Sequence, residues 1–188
     1  PAATAHPGGV ALAGISADGS SVWWFADDGG DERGVWMVQP ARPDGDHAPA
    51  DEVVDAVVAA SEITAGFSSG LVVGSRRAVV GRSDSDGAEV FVVELDRVGQ
   101  PGAGRLVYAN EQFATAGALS VDERLVAIAH SEHGDAQKPA VRVLQLSADG
   151  GEPTAVADLW DGHGRGVWPI AFSPRAGSTE LLVVHERH

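Results

Sequence analysis

The chain has 188 residues, of which 44% are hydrophobic, 27 are acidic and 13 are basic, and its formal net charge is −14. This composition can form a hydrophobic core, and the absence of cysteine excludes disulfides and thiolate sites. The single lysine and the scattered arginines exclude a nucleic-acid-binding class, because such binding requires basic side chains that neutralise phosphates.

Short runs of β-branched and aromatic residues, bounded by Gly, Asp, Ser and Pro, recur along the chain and predict β-strands. In chain order they include residues 22–25, 35–38, 78–80, 89–93, 125–129, 141–146 and 181–184. Residues 51–62 also allow a turn of helix, but we favour a strand with a loop. The tryptophans are expected to fill space between packed sheets, and the adjacent Trp23 and Trp24 must point to opposite faces.

A repeated unit organises these strands: an apolar run, a serine, a polar turn and a second apolar run. The serines are Ser16, Ser75, Ser120 and Ser173, which are 59, 45 and 53 residues apart. A polar hairpin, a third strand and a fourth strand, such as residues 105–108 or 153–156, complete the unit. Four-stranded repeats of ~40–50 residues are typical of propeller blades, and insertions in surface loops account for the unequal spacing.

We therefore predict an all-β fold, a partial β-propeller of about three and a half four-stranded antiparallel blades. The approximate blade limits are residues 8–60, 61–113, 114–165 and an incomplete 166–188. The last unit stops after its second strand, which leaves backbone groups unpaired and a blade face uncovered. We expect the chain to be a fragment or to be completed by another chain.

The Ser16–Asp18–Gly19 turn before an apolar strand, followed by the strand at residues 35–38, resembles a known family. It is similar to the amino-terminal propeller of prolyl-oligopeptidase-family serine peptidases, in particular the acylaminoacyl-peptidase-like branch. The most similar stretches are residues 8–16, 79–83 and 128–136, and the resemblance covers essentially the whole chain. It implies a carboxy-terminal α/β-hydrolase domain, with a Ser-Asp-His triad that is absent from this sequence.

The chain itself is predicted to have no catalytic residue, no cofactor and no metal. Ser16 and Ser83 lie in strings that lack the final glycine of the Gly-x-Ser-x-Gly nucleophile motif, and we interpret them as turn serines. His185 and His188 are three residues apart, whereas the His-Glu-x-x-His zinc motif places its histidines four apart.

Three further groups have a simpler interpretation than a binding site. His130 and His133 would need two more ligands to bind zinc, and we interpret them as part of a polar hairpin. The Asp- and Gly-containing segments 27–32 and 84–87 are typical of tight hairpins and lack the alternating pattern of a calcium loop. The glycine-rich residues 99–104 lack the following helix of a phosphate site, which predicts a loop.

Two functional hypotheses stay open. The first is a propeller that gates the access of oligopeptides to the catalytic α/β-hydrolase domain of a prolyl-oligopeptidase-type serine peptidase, where its negative field favours cationic peptides. Its partners are that domain or the remaining blades. The second is a non-catalytic protein-binding propeller of the TolB-like or WD-repeat-like kind, and a freestanding half-ring that dimerises is a weaker third.

The location of the protein is a separate expectation. No apolar run approaches the ~18 residues that a membrane-spanning helix requires, so we expect no membrane partner. Residues 1–9 lack the basic and apolar segments of a secretory signal. Together with the absence of cysteine, this favours the cytoplasm.

Overall fold

The computed structural model describes residues 10, 12–27, 29–41, 57–96 and 99–187, and these residues form strands and no helix. The strands are β1 (Ala13–Ile15), β2 (Ser21–Ala26), β3 (Arg33–Pro40), β4 (Val57–Val58), β5 (Gly66–Val73), β6 (Arg77–Asp84), β7 (Gly87–Leu95), β8 (Pro101–Asn110), β9 (Ala114–Leu119), β10 (Leu125–Asp135), β11 (Lys138–Gln145), β12 (Thr154–Leu159), β13 (Val167–Phe172) and β14 (Leu181–His185). Among the described residues, none belongs to a helix that could cross a bilayer.

Consecutive strands pair antiparallel and form a series of meanders. Blade 1 comprises β1–β4, blade 2 comprises β5–β8, blade 3 comprises β9–β12 and blade 4 comprises β13 and β14. A two-residue pairing of β3 with β5 also joins blade 1 to blade 2. The structure is the all-β partial propeller that the sequence predicts, with three four-stranded blades and half of a fourth, while the predicted residue limits of the blades stay a prediction.

The blades pack face to face because their central strands are apolar on both sides. Val79 and Val80 are both fully buried, and successive strand residues point to opposite faces. Val79 packs in the cluster between blades 2 and 3, and Val80 packs in the cluster between blades 1 and 2. In blade 3, Val126 packs between blades 2 and 3, and Ala127 packs between blades 3 and 4. Each interface between neighbouring blades, which we call a seam, therefore has its own hydrophobic core.

The tryptophans of blade 1 follow the same rule. Trp23 is fully buried in the cluster between blades 1 and 2, whereas Trp24 lies in a separate cluster on the opposite face. Trp36 packs edge-on against Phe25, and its Nε1–H donates to the Gly81 carbonyl of blade 2 at 3.0 Å. The expectation that tryptophans fill the space between sheets is correct for Trp23 and Trp36.

Serine-containing turns connect the first and second strands at one end of the blades, which we call the turn side (residues 16–20, 74–77 and 120–124). Ser16 Oγ donates to Asp18 Oδ1 at 2.7 Å and accepts the N–H of Ser21 at 2.9 Å. Gly19 follows with a left-handed φ of 73°. In blade 3 the turn has the same hydrogen bonds around Ser120, but Glu123 takes the place of the glycine, with a φ of 58°.

Glu123 connects blade 3 to blade 2. Its carboxylate is buried and accepts the backbone N–H of Ser75 at 2.8 Å and that of Arg76 at 3.0 Å. Arg77 of blade 2 donates from Nη1 to the Glu123 carbonyl at 2.7 Å. A Cβ at Gly74 would lie only 2.7 Å from Glu123 Cδ, so a larger residue there would displace the Glu123 carboxylate. These bonds offset the cost of the left-handed backbone, which is about 1–2 kcal/mol for a residue with a side chain.

We predict that Glu123→Ala lowers the free energy of unfolding by about 2–4 kcal/mol, because two backbone N–H groups lose their acceptor. Glu123→Gly should cost about 1 kcal/mol less than Glu123→Ala, since glycine tolerates the left-handed conformation. Urea denaturation of both variants measures the difference.

The matched control is Glu32→Gly. Glu32 has a φ of 64° but is exposed, so this variant should be at least as stable as the wild type. Equal stability of the wild type and Glu123→Ala would show that the Glu123 bonds contribute nothing.

Candidate functional site

The two serines with a partial nucleophile motif have structural roles. Ser16 is a turn residue, and its hydroxyl is used in the turn. From the sequence, Ser83 is interpreted as a turn serine, and this is wrong. Ser83 is in β6, where it lies opposite Phe67 and Ala88. No helix follows either serine in the described ranges, whereas a nucleophile elbow requires a strand-to-helix turn.

The acidic hairpins use their carboxylates to stabilise the turns. The Asp27 carboxylate accepts the backbone N–H groups of Gly29, Gly30 and Glu32 at 2.7–3.1 Å. Desolvation alone would raise the pKa of Asp27, but these bonds outweigh it and lower the pKa. Asp28, which belongs to the same predicted hairpin, lies outside the described residues.

In blade 2, Asp84 accepts the N–H of Asp86 at 2.8 Å and pairs with Arg82 Nη1 at 2.6 Å. The N–H donor and then Arg82 lower the pKa of Asp84. The carboxylates of Asp27 and Asp84 are therefore engaged in local bonds.

Three further segments with a sequence prediction are residues 99–104, the histidines at 185 and 188, and residues 51–62. The loop predicted at residues 99–104 is wrong for most of its length, because β8 begins at Pro101 and pairs with β7. His185 Nε2 lies 3.0 Å from Asp161 Oδ2, while His188 lies outside the described residues. Of the segment 51–62, residues 51–56 also lie outside them, and β4 and a loop occupy the rest, as favoured from the sequence.

One polar cluster lies where the β10–β11 hairpin meets blade 2, and we call it the His130 cluster. Its members are Tyr108 on β8, His130, Glu132 and His133 on β10, Arg142 on β11, Asp158 on β12 and Trp160 just after β12. Two of its charged side chains are brought together by the strand register, because Arg142 and Asp158 are directly opposite each other on neighbouring strands. Three strands of blade 3 and the outer strand of blade 2 contribute to it.

Arg142 is the centre of the ion pairs. Its Nη1 and Nη2 donate to the two oxygens of Glu132, each at 2.7 Å, and Nη2 also donates to Asp158 Oδ2. Burial acts to lower the pKa of Arg142, but the bonds to Glu132 and Asp158 outweigh it and raise the pKa. The guanidinium carbon lies 5.5 Å from the centre of the Tyr108 ring. Such a forked, charge-assisted contact specifies orientation as well as energy.

Glu132 links the hairpin to blade 2. Tyr108 Oη donates to Glu132 Oε1 at 2.6 Å, and this bond crosses the seam between the two blades. Burial and then the bond to Glu132 raise the pKa of Tyr108, so the phenol stays protonated and remains a donor. The bonds from Arg142 and Tyr108 lower the pKa of Glu132, so its side chain stays an anion.

The two histidines of the cluster differ in environment. His130 has 0% of its surface exposed, and its Nε2 lies 3.2 Å from Asp158 Oδ1. His133 is partly exposed, and its Nε2 lies 3.4 Å from Asp158 Oδ2. The His133 ring stacks on Trp160 with 4.7 Å between ring centres, and Trp160 is 51% exposed. The cluster therefore extends from a buried imidazole to a solvent-exposed indole.

Three side chains of the His130 cluster bring potential metal-ligand atoms close together. Donor atoms of Glu132, His133 and Asp158 lie within 4.8 Å of one another. Arg142, however, already binds both carboxylates, and a guanidinium between them would repel a cation. We therefore describe the cluster as an ion-pair and hydrogen-bond network, and we do not assign metal ligands.

We predict that Arg142→Met lowers the free energy of unfolding by about 1–3 kcal/mol, because it leaves Glu132 and Asp158 close together without a cation. The pKa of each of these carboxyls should rise toward its ordinary value. Carboxyl NMR titration measures the pKa change, and denaturant unfolding measures the stability.

Arg124→Met is the matched control, since Arg124 is 75% exposed and lies 4.0 Å from Asp122. It should change stability by less than about 0.5 kcal/mol. The same loss in both variants would contradict a special role for Arg142.

Comparisons with known proteins define what the fold resembles. The chain matches no protein-family model and no curated protein. It matches a solved structure from a structural and mechanistic analysis of two prolyl endopeptidases, with a TM-score of 0.60 and 20% sequence identity. The match covers 94% of this chain and 24% of the other, so the chain spans about a quarter of that protein. At this level of identity the likeness shows the fold alone.

Proposed function

We propose that this chain is the propeller portion of a prolyl-oligopeptidase-type serine peptidase and that it gates the access of oligopeptides to a catalytic α/β-hydrolase domain outside residues 1–188. The observation that carries the proposal is the match of 94% of the chain to part of a prolyl endopeptidase. The resemblance at residues 8–16, 79–83 and 128–136 supports it independently. The acylaminoacyl-peptidase-like branch and the cytoplasmic location stay predictions from the sequence.

The apolar surface of blade 4 supports the partner in this proposal. Leu181 and Val183 pack against the core between blades 3 and 4, whereas Leu182 and Val184 on the opposite face are 64% and 51% exposed. Ile170 on the neighbouring strand is also 50% exposed. In blades 2 and 3 the equivalent faces are covered by a neighbouring blade, so remaining blades of the same protein are suitable occupants.

The proposed role is steric and electrostatic. A ring of blades has a narrow central opening that flexible oligopeptides can enter and folded proteins cannot. The net charge of −14 produces a negative potential, which attracts the positively charged groups of a peptide. In this proposal, the α/β-hydrolase domain outside residues 1–188 hydrolyses the peptide bond.

We predict that the protein containing this chain hydrolyses short proline-containing peptides but not the same sequence within a folded protein. A fluorophosphonate probe should label one serine, and mass spectrometry should place that serine outside residues 1–188. No labelling, or labelling within residues 1–188, would contradict the proposal. Absence of labelling together with a stable protein complex would favour the protein-binding propeller instead.

We predict that activity on cationic peptides falls when exposed carboxylates are replaced at the end of the blades opposite the turn side, where the β2–β3 and β6–β7 hairpins and the β8–β9 connection lie. The triple variant Asp31→Asn, Asp86→Asn, Glu111→Gln should lower kcat/KM for a lysine-containing peptide by roughly two- to tenfold at low salt. The effect should fade at high salt, because ions screen exposed charges. Activity on a neutral peptide of the same length should not change.

The control removes two exposed carboxylates on the turn side, Glu152→Gln and Glu180→Gln. Per carboxylate removed, it should have a smaller effect on the cationic peptide than the triple variant. Identical kinetics of the triple variant and the wild type at low salt would refute electrostatic selection but leave steric gating intact.

A further inference from the structure

His130 is a titratable group that the proposed function does not use. It is fully buried, and it lies at the point where the β10–β11 hairpin contacts both β12 and blade 2. Buried histidines with fixed hydrogen bonds respond to pH because only one protonation state satisfies their partners.

The hydrogen bonds assign the tautomer. The backbone N–H of Glu132 donates to His130 Nδ1 at 3.2 Å. A backbone amide can only donate, so Nδ1 must have a free lone pair. The proton of the neutral ring is then on Nε2, which donates to Asp158 Oδ1 at 3.2 Å. Both ring nitrogens are satisfied in the neutral Nε2–H form.

A second proton would have to bind at Nδ1, where it would face the N–H of Glu132. Two donors would then point at each other, and the hairpin would lose a bond. Burial also disfavours the charged ring, and it lowers the pKa of His130 below the ordinary 6.5.

The surrounding charges are mixed. Asp158 on β12 and Glu132 on β10 favour the protonated ring, whereas Arg142 on β11 opposes it. The rings of His133 and Tyr108 lie edge-on, at 5.8 and 5.7 Å between centres. Arg142 already neutralises both carboxylates, which limits the help that they give to a second cation.

We propose that the β10–β11 hairpin is a proton-sensitive latch between blades 2 and 3. When His130 is neutral, its Nδ1 accepts the backbone N–H of Glu132 and holds the Glu132 backbone in place. The Glu132 side chain then accepts a hydrogen bond from the Tyr108 hydroxyl of blade 2. Protonation of His130 breaks the bond from the Glu132 N–H, displaces Glu132 and loosens the bond that crosses the seam. This inference does not rest on the peptidase role.

The direction of the pH effect follows from the lowered pKa. The unfolded or opened hairpin binds a proton near pH 6.5, while the closed hairpin binds it only at lower pH. The closed state is therefore fully stable above pH 6.5 and loses stability as the pH falls below it. Glu132 and Asp158 have lowered pKa values and stay ionised in this range, so His130 titrates first.

The first test uses the wild-type protein and NMR of the imidazole nitrogens. We expect the Nε2–H tautomer for His130 at about pH 7.5 and a titration midpoint below that of a histidine in a flexible peptide, about 6.5. An Nδ1–H tautomer, or a midpoint at or above the peptide value, would overturn the proposal. This measurement requires no variant.

The second test is hydrogen exchange of the segment at residues 130–138, corrected for the intrinsic effect of pH. Lowering the pH from about 7.5 to about 5.5 should reduce protection in this segment roughly tenfold relative to the rest of blade 3. His130→Gln keeps an N–H toward Asp158 but cannot titrate, so it should lose this response.

The control is His133→Gln, which removes the other histidine of the hairpin and should keep the response. An equal response of His130→Gln and the wild type would overturn the proposal. If His130→Gln does not fold, the NMR tautomer and the wild-type exchange profile still decide the outcome.

Discussion

Apolar packing between neighbouring blades is the interaction on which the remaining structure depends. A strand in the middle of a blade has two faces and a blade on each, so both of its residue sets must be hydrophobic. Val79 and Val80 are adjacent in sequence, yet they belong to different cores. No blade can bury both faces by itself, and stability therefore comes from the series of seams, as in other repeat structures.

Apolar contact is not directional, so polar groups at the ends of the seams define how the blades are placed. Between blades 2 and 3, Glu123 binds the backbone of the turn at Ser75 on one side. On the other side, Glu132 accepts the hydroxyl of Tyr108. Both are carboxylates from blade 3 with partners in blade 2. A hydrogen bond has a defined geometry, and these bonds fix the relative position that the hydrophobic core leaves free.

The sequence predicted the features that repeat and missed those that occur once. Strand composition and the recurring serines were enough for the blade architecture, because each repeat reports the same constraint. The role of Glu123 was not visible, since a left-handed glutamate in the position of Gly19 looks like a degraded turn motif. A further Ser-x-Asp-Gly turn lies between β11 and β12, at Ser147, Asp149 and Gly150. The repeat that was read from the sequence has this turn only between the first and second strands of a blade.

The His130 cluster was only half visible for a related reason. His130 and His133 are close in sequence and were predicted to be part of a polar hairpin. Tyr108, Arg142 and Asp158 come from three other strands, and only the fold brings them together.

The position of this cluster gives a titratable group an influence that an ordinary surface histidine lacks. A partial ring changes shape most easily at its seams, since the strands within a blade are joined by many backbone bonds and two blades are not. The apolar core between blades 2 and 3 does not respond to pH. The bonds at its edge do, because they depend on the protonation state of His130, while Glu132 and Asp158 stay ionised. A proton can therefore weaken the polar bonds at the edge of the seam without any change in its apolar core. The core provides the stability of the fold, and the bonds at its edge make the contact between blades 2 and 3 sensitive to pH.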